Sequence, residues 1–393
     1  MSERKTAELP GLPGGGAPEP AGAAAAAAAP SGPAGEGPDP ANLTCPAPIP
    51  ERARVLLGHG SGGQLSAALM REVIGPALAS SGRAPAGGAA AGTLNDAAVV
   101  DVAGASLAFT TDSFVVSPLE FPGGDIGELA VNGTVNDLAM MGAQPLALSL
   151  AYVIEEGLPI EELRKVTESV ARAAARAGVR IVTGDTKVVG RGAADGLFVN
   201  TAGIGLVAAG VTVGADRAAA GDAVLLSGPI GLHGVAIMSV REGLDFEVEI
   251  ASDTQPLNGL VAAIVAACPE VRVLRDPTRG GLASALNEIA AASRVGIELR
   301  EETIPIPGPV HAACEMLGLD PLHVANEGKL VAIVPAASSE AVLAAMRAVP
   351  EGVEAVEIGR VVADHPAMVT MRTIVGSQRI VDMLVGEQLP RIC

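Results

Sequence analysis

The sequence predicts an α+β fold of two domains, on three observations. From about residue 52 onward, strand and helix signals alternate, with hairpins interleaved among the helices instead of one strand–helix repeat. A second cycle of strand, glycine loop and helix begins near Gly221. With residues 1–50 set aside, roughly 340 residues remain, a length that favours about two domains and can bury ample core.

The elements follow in order. "AAVVDV" and "SLAFTTD" are β-rich runs separated by a turn at Gly104. "DIGELAVNGTVNDLAMMG" reads as a helix opened by Asp125 and closed at Gly142. In "PIEELRKVTESVARAAARAG", Leu163, Val166, Val170, Ala173 and Ala177 recur at helical spacing, and Gly178 stops the helix. "VRIVTGD" then reads as a buried strand and "LFVNTAGIGLVAAG" as another. In the second cycle "GDAVLLSGPIGLHGVAIMSV" gives strand, glycine loop and helix. "GGLASALNEIAAAS" is a helix, "GIELR" and "GKLVAIVP" are strands, "SEAVLAAMRAVP" is a helix and "VEAVEIGRVV" a strand. The boundary falls near residues 211–221. The expected organisation is a disordered tail over 1–50, domains over 51–215 and 216–380, and a mobile tail over 381–393.

Composition narrows the function. Residues 1–50 are rich in Pro, Gly and Ala, including "AGAAAAAAAP", and have too little apolar area to offset their ordering entropy. "MSERK" is not followed by the apolar stretch of a signal peptide. A net charge of −18 argues against a nucleic-acid surface. An anionic ligand would therefore need metal ions or local donors. Aromatic residues are 2% and Trp is absent, which disfavours base-stacking platforms. No uncharged apolar stretch reaches the roughly 20 residues that span a bilayer, so no membrane role is expected. Cys45, Cys268, Cys314 and Cys393 form no CxxC pair, which suggests neither a zinc site nor a disulfide framework, and a reducing cytoplasm is expected.

Several acids border apolar runs. A hairpin folded symmetrically about Gly104 would set Asp96 opposite Asp112. Like charges placed so destabilise a strand pair unless a cation such as Mg²⁺ lies between them. Solvated strand ends are the bland reading of this pair alone. Asp137 within an apolar helix and Asp185 at the end of "RIVTG" point instead to a metal–phosphate site, since ligands gather at strand ends. Lys187, two residues past Asp185, can contact a phosphate or a reacting oxygen, or stay a solvated loop lysine. Two glycine-rich loops precede apolar helices and can donate backbone N–H groups to phosphates. One is "GHGSGGQLSAALM", with Gly60, Ser61 and Gly62. The other is "DPTRGGLASALNEI", from Asp276 to Gly281. Neither is a Walker pattern. His59 and His233 are ligands, bases or local hydrogen-bonding groups. Glu327 in "ANEGKL" sits in an apolar setting, where it is either a base with a raised pKa or the structural partner of Lys329.

Taken together, "GHGSGG", "DAAVV", "FTTDSFVVSPLEFPGGDIGELAVNGTVNDLAMMGAQP", "RIVTGDTKVV", "DPTRGGLASALNEIA", "VANEGKL" and the terminal "GEQLPRIC" resemble the HypE family of hydrogenase maturation proteins. The resemblance runs from about residue 55 to Cys393. It implies the two-domain fold of the aminoimidazole ribonucleotide synthetase (PurM) and selenophosphate synthetase superfamily. In a homodimer, the N-terminal sheets would pair into a barrel-like interface with ATP and Mg²⁺ in a groove beside it. Asp96, Asp112, Asp137 and Asp185 fall on the family's metal and nucleotide motifs, with Gly60, Ser61, Gly62 and Thr186 beside them. Lys187 and Glu327 fall on positions linked to the dehydration step. Cys393 falls on the cysteine that carries the substrate. Asn95 stands where family members often have an acid.

The implied reaction explains a thiol at residue 393. A HypF-type carbamoyltransferase loads a carbamoyl group on Cys393. ATP-dependent dehydration converts it to a thiocyanate, and the cyanide passes to iron on a HypC–HypD-type complex. Loading, dehydration and delivery require a mobile carrier, and Pro390 keeps its approach extended. The adjoining terminal carboxylate raises the thiol pKa, and Arg391 is expected to offset it.

Overall fold

The structure, a computed structural model, describes residues 54–79, 95–244, 250–384, 389 and 391–393. The expectations for residues 1–50, Cys45 and Pro390 lie outside these.

The chain enters through the loop 57–63, a short helix α1 (Gln64–Leu69), a π turn over Met70–Ile74 and α2 (Gly75–Ala79). The hairpin of β1 (Ala98–Val102) and β2 (Ala105–Phe114) follows, then a small ribbon of β3 (Glu120–Phe121) and β4 (Gly124–Asp125). Next come α3 (Ile126–Met140), β5 (Ala143–Glu155), α4 (Ile160–Ala177), β6 (Arg180–Val189) and β7 (Leu197–Val207). The second half runs β8 (Ala223–Leu226), α5 (Leu232–Arg241), α6 (Asn258–Ala267), β9 (Val273–Arg275), α7 (Gly281–Ser293), β10 (Gly296–Arg300) and α8 (Gly308–Leu317). It closes with β11 (Val331–Val334), α9 (Ser339–Arg347), β12 (Val356–Val362), β13 (Met368–Arg372) and β14 (Gln378–Val381).

The strands form a five-stranded sheet, β1-β2-β7-β5-β6, and a seven-stranded sheet, β14-β13-β10-β12-β8-β11-β9. Among the described residues only β5–β6 and β10–β13 pair in parallel; the other ladders are antiparallel.

Local chemistry explains the helices of the first half. The Asp125 carboxylate accepts from Gly127 N at 2.7 Å and Glu128 N at 2.9 Å, capping α3 as its position predicts. Gly178, at φ 69°, closes α4. Of the α4 stripe, Val166, Val170, Ala173 and Ala177 are buried against α3, and Leu163 is half-buried. In the second half β8 ("AVLL") and β11 ("VAIV") are buried at every position. Both faces of that sheet are covered, by α7 on one side and by α6 and α9 on the other. Strands covered on both faces need no alternation.

Two expectations change. "VRIVTGD" becomes β6, an exposed edge strand and not a buried one, with Val182 and Val188 facing outward. The hairpin turns on two residues, Ala103 and Gly104, both at positive φ, so Ala98 faces Phe109 and Val102 faces Ala105. Such two-residue turns match the twist of the flanking strands. The register is thus one residue away from symmetry about Gly104, and Asp112 is not directly across from Asp96. A one-residue slip exchanges the faces of a strand.

Candidate active site

Four sequence motifs, distant along the chain, converge on one cleft. Asn326 of "ANEGKL" donates to Pro277 O at 2.9 Å and accepts from Gly231 N at 2.7 Å, joining the "DPTRGG" turn to the "GPIG" loop. Arg279 donates to Gly60 O at 3.3 Å, bringing in the "GHGSGG" loop. A Cβ on Gly62, which sits at φ 78°, would lie 2.7 Å from Arg279 Cβ, so only glycine lets the two loops approach. Within the first loop Gly62 N donates to Ser66 Oγ at 2.9 Å and Ser61 Oγ to Gly58 O at 2.9 Å. His59 is a local hydrogen-bonding group: its Nδ1 accepts from Leu56 N.

The acids gather where β9 runs into α7. Carboxylate oxygens of Asp96, Asp137 and Asp276 all lie within 4.8 Å of one another. Thr110 on β2 ties two of them, its hydroxyl lying 2.8 Å from Asp137 Oδ2 and 3.1 Å from Asp96 O. Arg275 pairs with Asp96 at 2.7 Å and with Glu288 at 2.5 Å. Burial pushes Asp96 up to about 8 and Asp276 up to about 6, and Arg275 opposes both. Asp137 is held well above the carboxylate range by burial and then by Asp276, Asp96 and Asp112. Asp112 is half-buried nearby, raised by burial and eased by Arg279. A hard divalent cation fits this oxygen set, because three crowded carboxylates carry a repulsion that such an ion removes. The Asn95 amide oxygen is engaged elsewhere, accepting from Ala215 N at 3.0 Å.

Glu327 occupies the floor. Its N–H donates to Asp253 Oδ1 at 3.0 Å, its carbonyl accepts from Asn136 on α3, and a Cβ at Gly328 would collide with Asp253 O. Lys329 pairs with Asp253, at 3.9 Å, instead of with Glu327. Glu327 Oε1 is buried with no hydrogen-bond partner. Burial, then Asp276, Asp112 and Asp253, raise its pKa well above the usual range, with Arg279 opposing.

The tail is seated in this cleft. Leu389 and Ile392 are buried and Cys393 is half-buried against the same apolar cluster. Arg279 and Ile392 line one small cavity with Ser61 and Leu384. Burial raises the Cys393 thiol above its ordinary value, Glu327 adds to this, and Arg279 opposes it. Arg391 does not serve the thiol as expected. It pairs with Asp195 at 2.5 Å and lies over the Phe198 ring at 5.9 Å.

Of the residues singled out in the sequence, one chain brings Asp96, Asp112, Asp137, Glu327, Cys393 and the loop of Gly60, Ser61 and Gly62 together. It does not bring Asp185, Thr186 and Lys187. These lie on exposed β6, at the far edge of the five-stranded sheet from β1, where Lys187 pairs with Asp185 at 2.5 Å. That ion pair lowers the Asp185 pKa. Sequence reasoning missed Arg275, Asp276 and Arg279 as side chains. A larger hollow of about 420 Å³ lies between β10, β12 and the turn joining β13 to β14, and no residue of the acidic cleft lines it.

Comparison with known proteins agrees with this architecture. Residues 94–207 match the family "AIR synthase related protein, N-terminal domain", and residues 219–371 its C-terminal domain. Carbamoyl dehydratase HypE of Azotobacter vinelandii is 54% identical over 335 residues, covering 85% of this chain and 96% of that protein. A crystal structure of a HypE–HypF complex superposes with a TM-score of 0.74 at 47% identity, covering 81% of this chain and 100% of that one. One of hydrogenase maturation protein HypE in complex with ATP gives 0.72 at 47%, covering 86% and 100%. Identity of this level over nearly the full length of the relative, on the same two-domain fold, shows that the chain belongs to the HypE family of carbamoyl dehydratases.

Proposed function

We propose that this chain dehydrates a carbamoyl group on its own Cys393 to a thiocyanate at the expense of ATP, supplying a cyanide ligand for the iron of [NiFe]-hydrogenase during maturation. The observation that carries this reading is the seat of Cys393: the last residue of the chain lies in a cleft with three clustered carboxylates, a buried carboxylate without a partner and an arginine.

The chemistry follows from these groups. Hydroxide leaves poorly, so the carboxamide oxygen attacks the γ-phosphate of ATP and departs as phosphate. Two N–H protons are lost as the C≡N bond forms, leaving Cys393–S–C≡N. Glu327 is the base, positioned through its backbone by Asp253 and Asn136. Arg279 faces the charge that develops on the transferred oxygen. Asp96, Asp137 and Asp276, with Asp112 beside them, would hold Mg²⁺, which supplies positive charge to the phosphates. Asp276 and Asp112 are also charges that raise Glu327, so their neutralisation lowers its pKa towards that of a working base.

Lys187 and Asp185 take part only if a second subunit brings β6 to a cleft. A homodimer is supported by the outer face of the five-stranded sheet. The strand registers put Val100, Phe109, Ile204 and Leu206 on that one face, each exposed by 41% or more. The solved HypE–HypF complex supports a HypF-type carbamoyltransferase as the loading partner. We assign delivery to a HypC–HypD-type iron-carrying complex. The half-buried thiol, its pKa raised by its surroundings, is a poor nucleophile where it sits, and we assign loading to a tail that has left the cleft. Among the described residues no helix is long and apolar enough to cross a membrane. We place the reaction in the cytoplasm, with domains over 51–215 and 216–380 and the carrier tail over 381–393.

The test is intact-mass spectrometry of the protein incubated with carbamoyl phosphate, a HypF-type carbamoyltransferase and Mg²⁺–ATP. Gain of one carbamoyl group followed by loss of one water supports the reading. ATP turnover without an adduct on Cys393 refutes it.

A further inference from the structure

His233, on the first turn of α5, is fully buried, and the chemistry above gives it no part. Its Nε2 lies 2.8 Å from the carbonyl oxygen of Ile392, and its Nδ1 lies 2.8 Å from Ser252 Oγ. We propose that His233 is a positioning residue for the dehydration step, seating the tail by donating from Nε2 to the Ile392 carbonyl so that Cys393 rests in the acidic cleft. The proposal rests on Cys393 as the carrier.

The proton can be placed atom by atom. A carbonyl only accepts, so Nε2 carries the hydrogen. Nδ1 therefore accepts from the Ser252 hydroxyl, whose oxygen in turn accepts from Thr254 N at 3.1 Å. Phe121 packs against the imidazole at 89°, with centroids 5.6 Å apart, and fixes the ring plane. Burial keeps the ring neutral.

The Ile392 carbonyl matters because its peptide plane contains the Cα of Cys393. Fixing the direction of that oxygen fixes where the thiol-bearing carbon sits. Neighbouring main-chain oxygens are held separately. Arg391 O accepts from Ser117 N at 3.4 Å and from Arg241, and Cys393 O accepts from Val115 N at 3.1 Å. His233 and Arg241 thus grip the tail from the second domain, and Val115 and Ser117 from the first.

The test uses the full chain. His233→Phe keeps an aromatic ring and loses the donor. Three quantities are measured: the rate of iodoacetamide alkylation of Cys393 by peptide mass mapping, the single-turnover rate of water loss from carbamoylated protein, and ATP affinity by calorimetry. Alkylation should rise about three- to ten-fold, the population shift expected from one lost hydrogen bond. Water loss should slow with ATP affinity unchanged, by a smaller factor than alkylation rises, because a tail that is mostly seated loses little of its seated population. His233→Gln, whose amide can donate to the same carbonyl, should recover both rates. If His233→Phe does not fold, Ser252→Ala, which removes the group fixing the tautomer, should raise alkylation about two-fold. Unchanged Cys393 alkylation in the folded variants overturns the proposal, and so does slowed water loss with unchanged alkylation. Absence of water loss in the unsubstituted protein would instead refute the assigned reaction, while the alkylation comparison would still report the seat.

Discussion

Replacing Asp276 by Asn should make the protein more stable without Mg²⁺ and less able to use it. The magnitude comes from the cluster. Two unit charges 4.8 Å apart repel by about 3 kcal/mol at an effective dielectric of about 20. The carboxyl itself gives the same size, since its pKa rises from 3.8 to about 6, and each unit is worth about 1.4 kcal/mol. Because Arg275 pairs with Asp96 at 2.7 Å and offsets part of the cluster's charge, about 3 kcal/mol is an upper bound. The sign is fixed by linkage. A carboxyl whose folded pKa lies above its unfolded value destabilises the folded state above the folded pKa, here about 6, and has no effect below 3.8. The gain of Asp276→Asn should therefore be full near pH 8 and absent near pH 4. In differential scanning fluorimetry at pH 8 without metal, the melting temperature should rise by a few degrees. Mg²⁺–ATP should stabilise the unsubstituted protein by mass action and shift the variant far less. A variant that melts lower at pH 8 and keeps its full Mg²⁺–ATP shift would show that Asp276 is structural.

Three further outcomes follow from the same site. Glu327→Gln should accept carbamoyl on Cys393 and then stall, with water loss slowed about 10²–10⁴-fold, visible as an intact mass that stays at the carbamoylated value with ATP present; dehydration at the unmodified rate would remove Glu327 as the base. Cys393→Ala should fold and bind ATP with unchanged calorimetric affinity yet carry no carbamoyl or cyano adduct, and any adduct on that variant would displace Cys393 as the carrier. Lys187→Met should slow dehydration as well. In heterodimers of Lys187→Met with Glu327→Gln, activity of about half the sites should return, because the intact lysine of one subunit then serves the intact Glu327 of the other; no return would refute a role for Lys187 across the dimer.

Much of the fold was legible because the strongest signals are local. The caps of α3 and α4 depend on Asp125 and Gly178 alone, and the periodic face of α4 needs no tertiary information. β5 was not assigned from the sequence, where Pro145 near its start argues against a strand. The proline sits beside a register shift between Pro145 and Ala147, where the ladder with β7 is interrupted, so a long internal strand tolerates it. α6 escaped because "NGLVAAIVAA" is apolar nearly all round and shows no helical stripe. β6 was misjudged because apolar content marks a strand to be covered without saying by what; Val182 and Val188 face outward in one chain.

The site was half legible for a more specific reason. Asp96 and Asp112 were joined by a symmetric hairpin, and a turn of two residues instead of one moved that register. The cluster survives the error because Thr110, not a cross-strand pair, ties Asp96 to Asp137. The third carboxylate comes from Asp276, at the end of β9, where the strand-end reasoning applied to Asp185 would have found it. "DPTRGG" was read for its glycines, as backbone donors to an anion. In the structure this turn, with Arg275 just before it, also gives Arg275 to Asp96, Asp276 to the acid cluster and Arg279 to the thiol and the glycine loop. One strand-to-helix turn therefore sets the charge balance of the whole cleft, which makes Asp276, and not the β6 pair of Asp185 and Lys187, the acid on which metal dependence within one chain should turn.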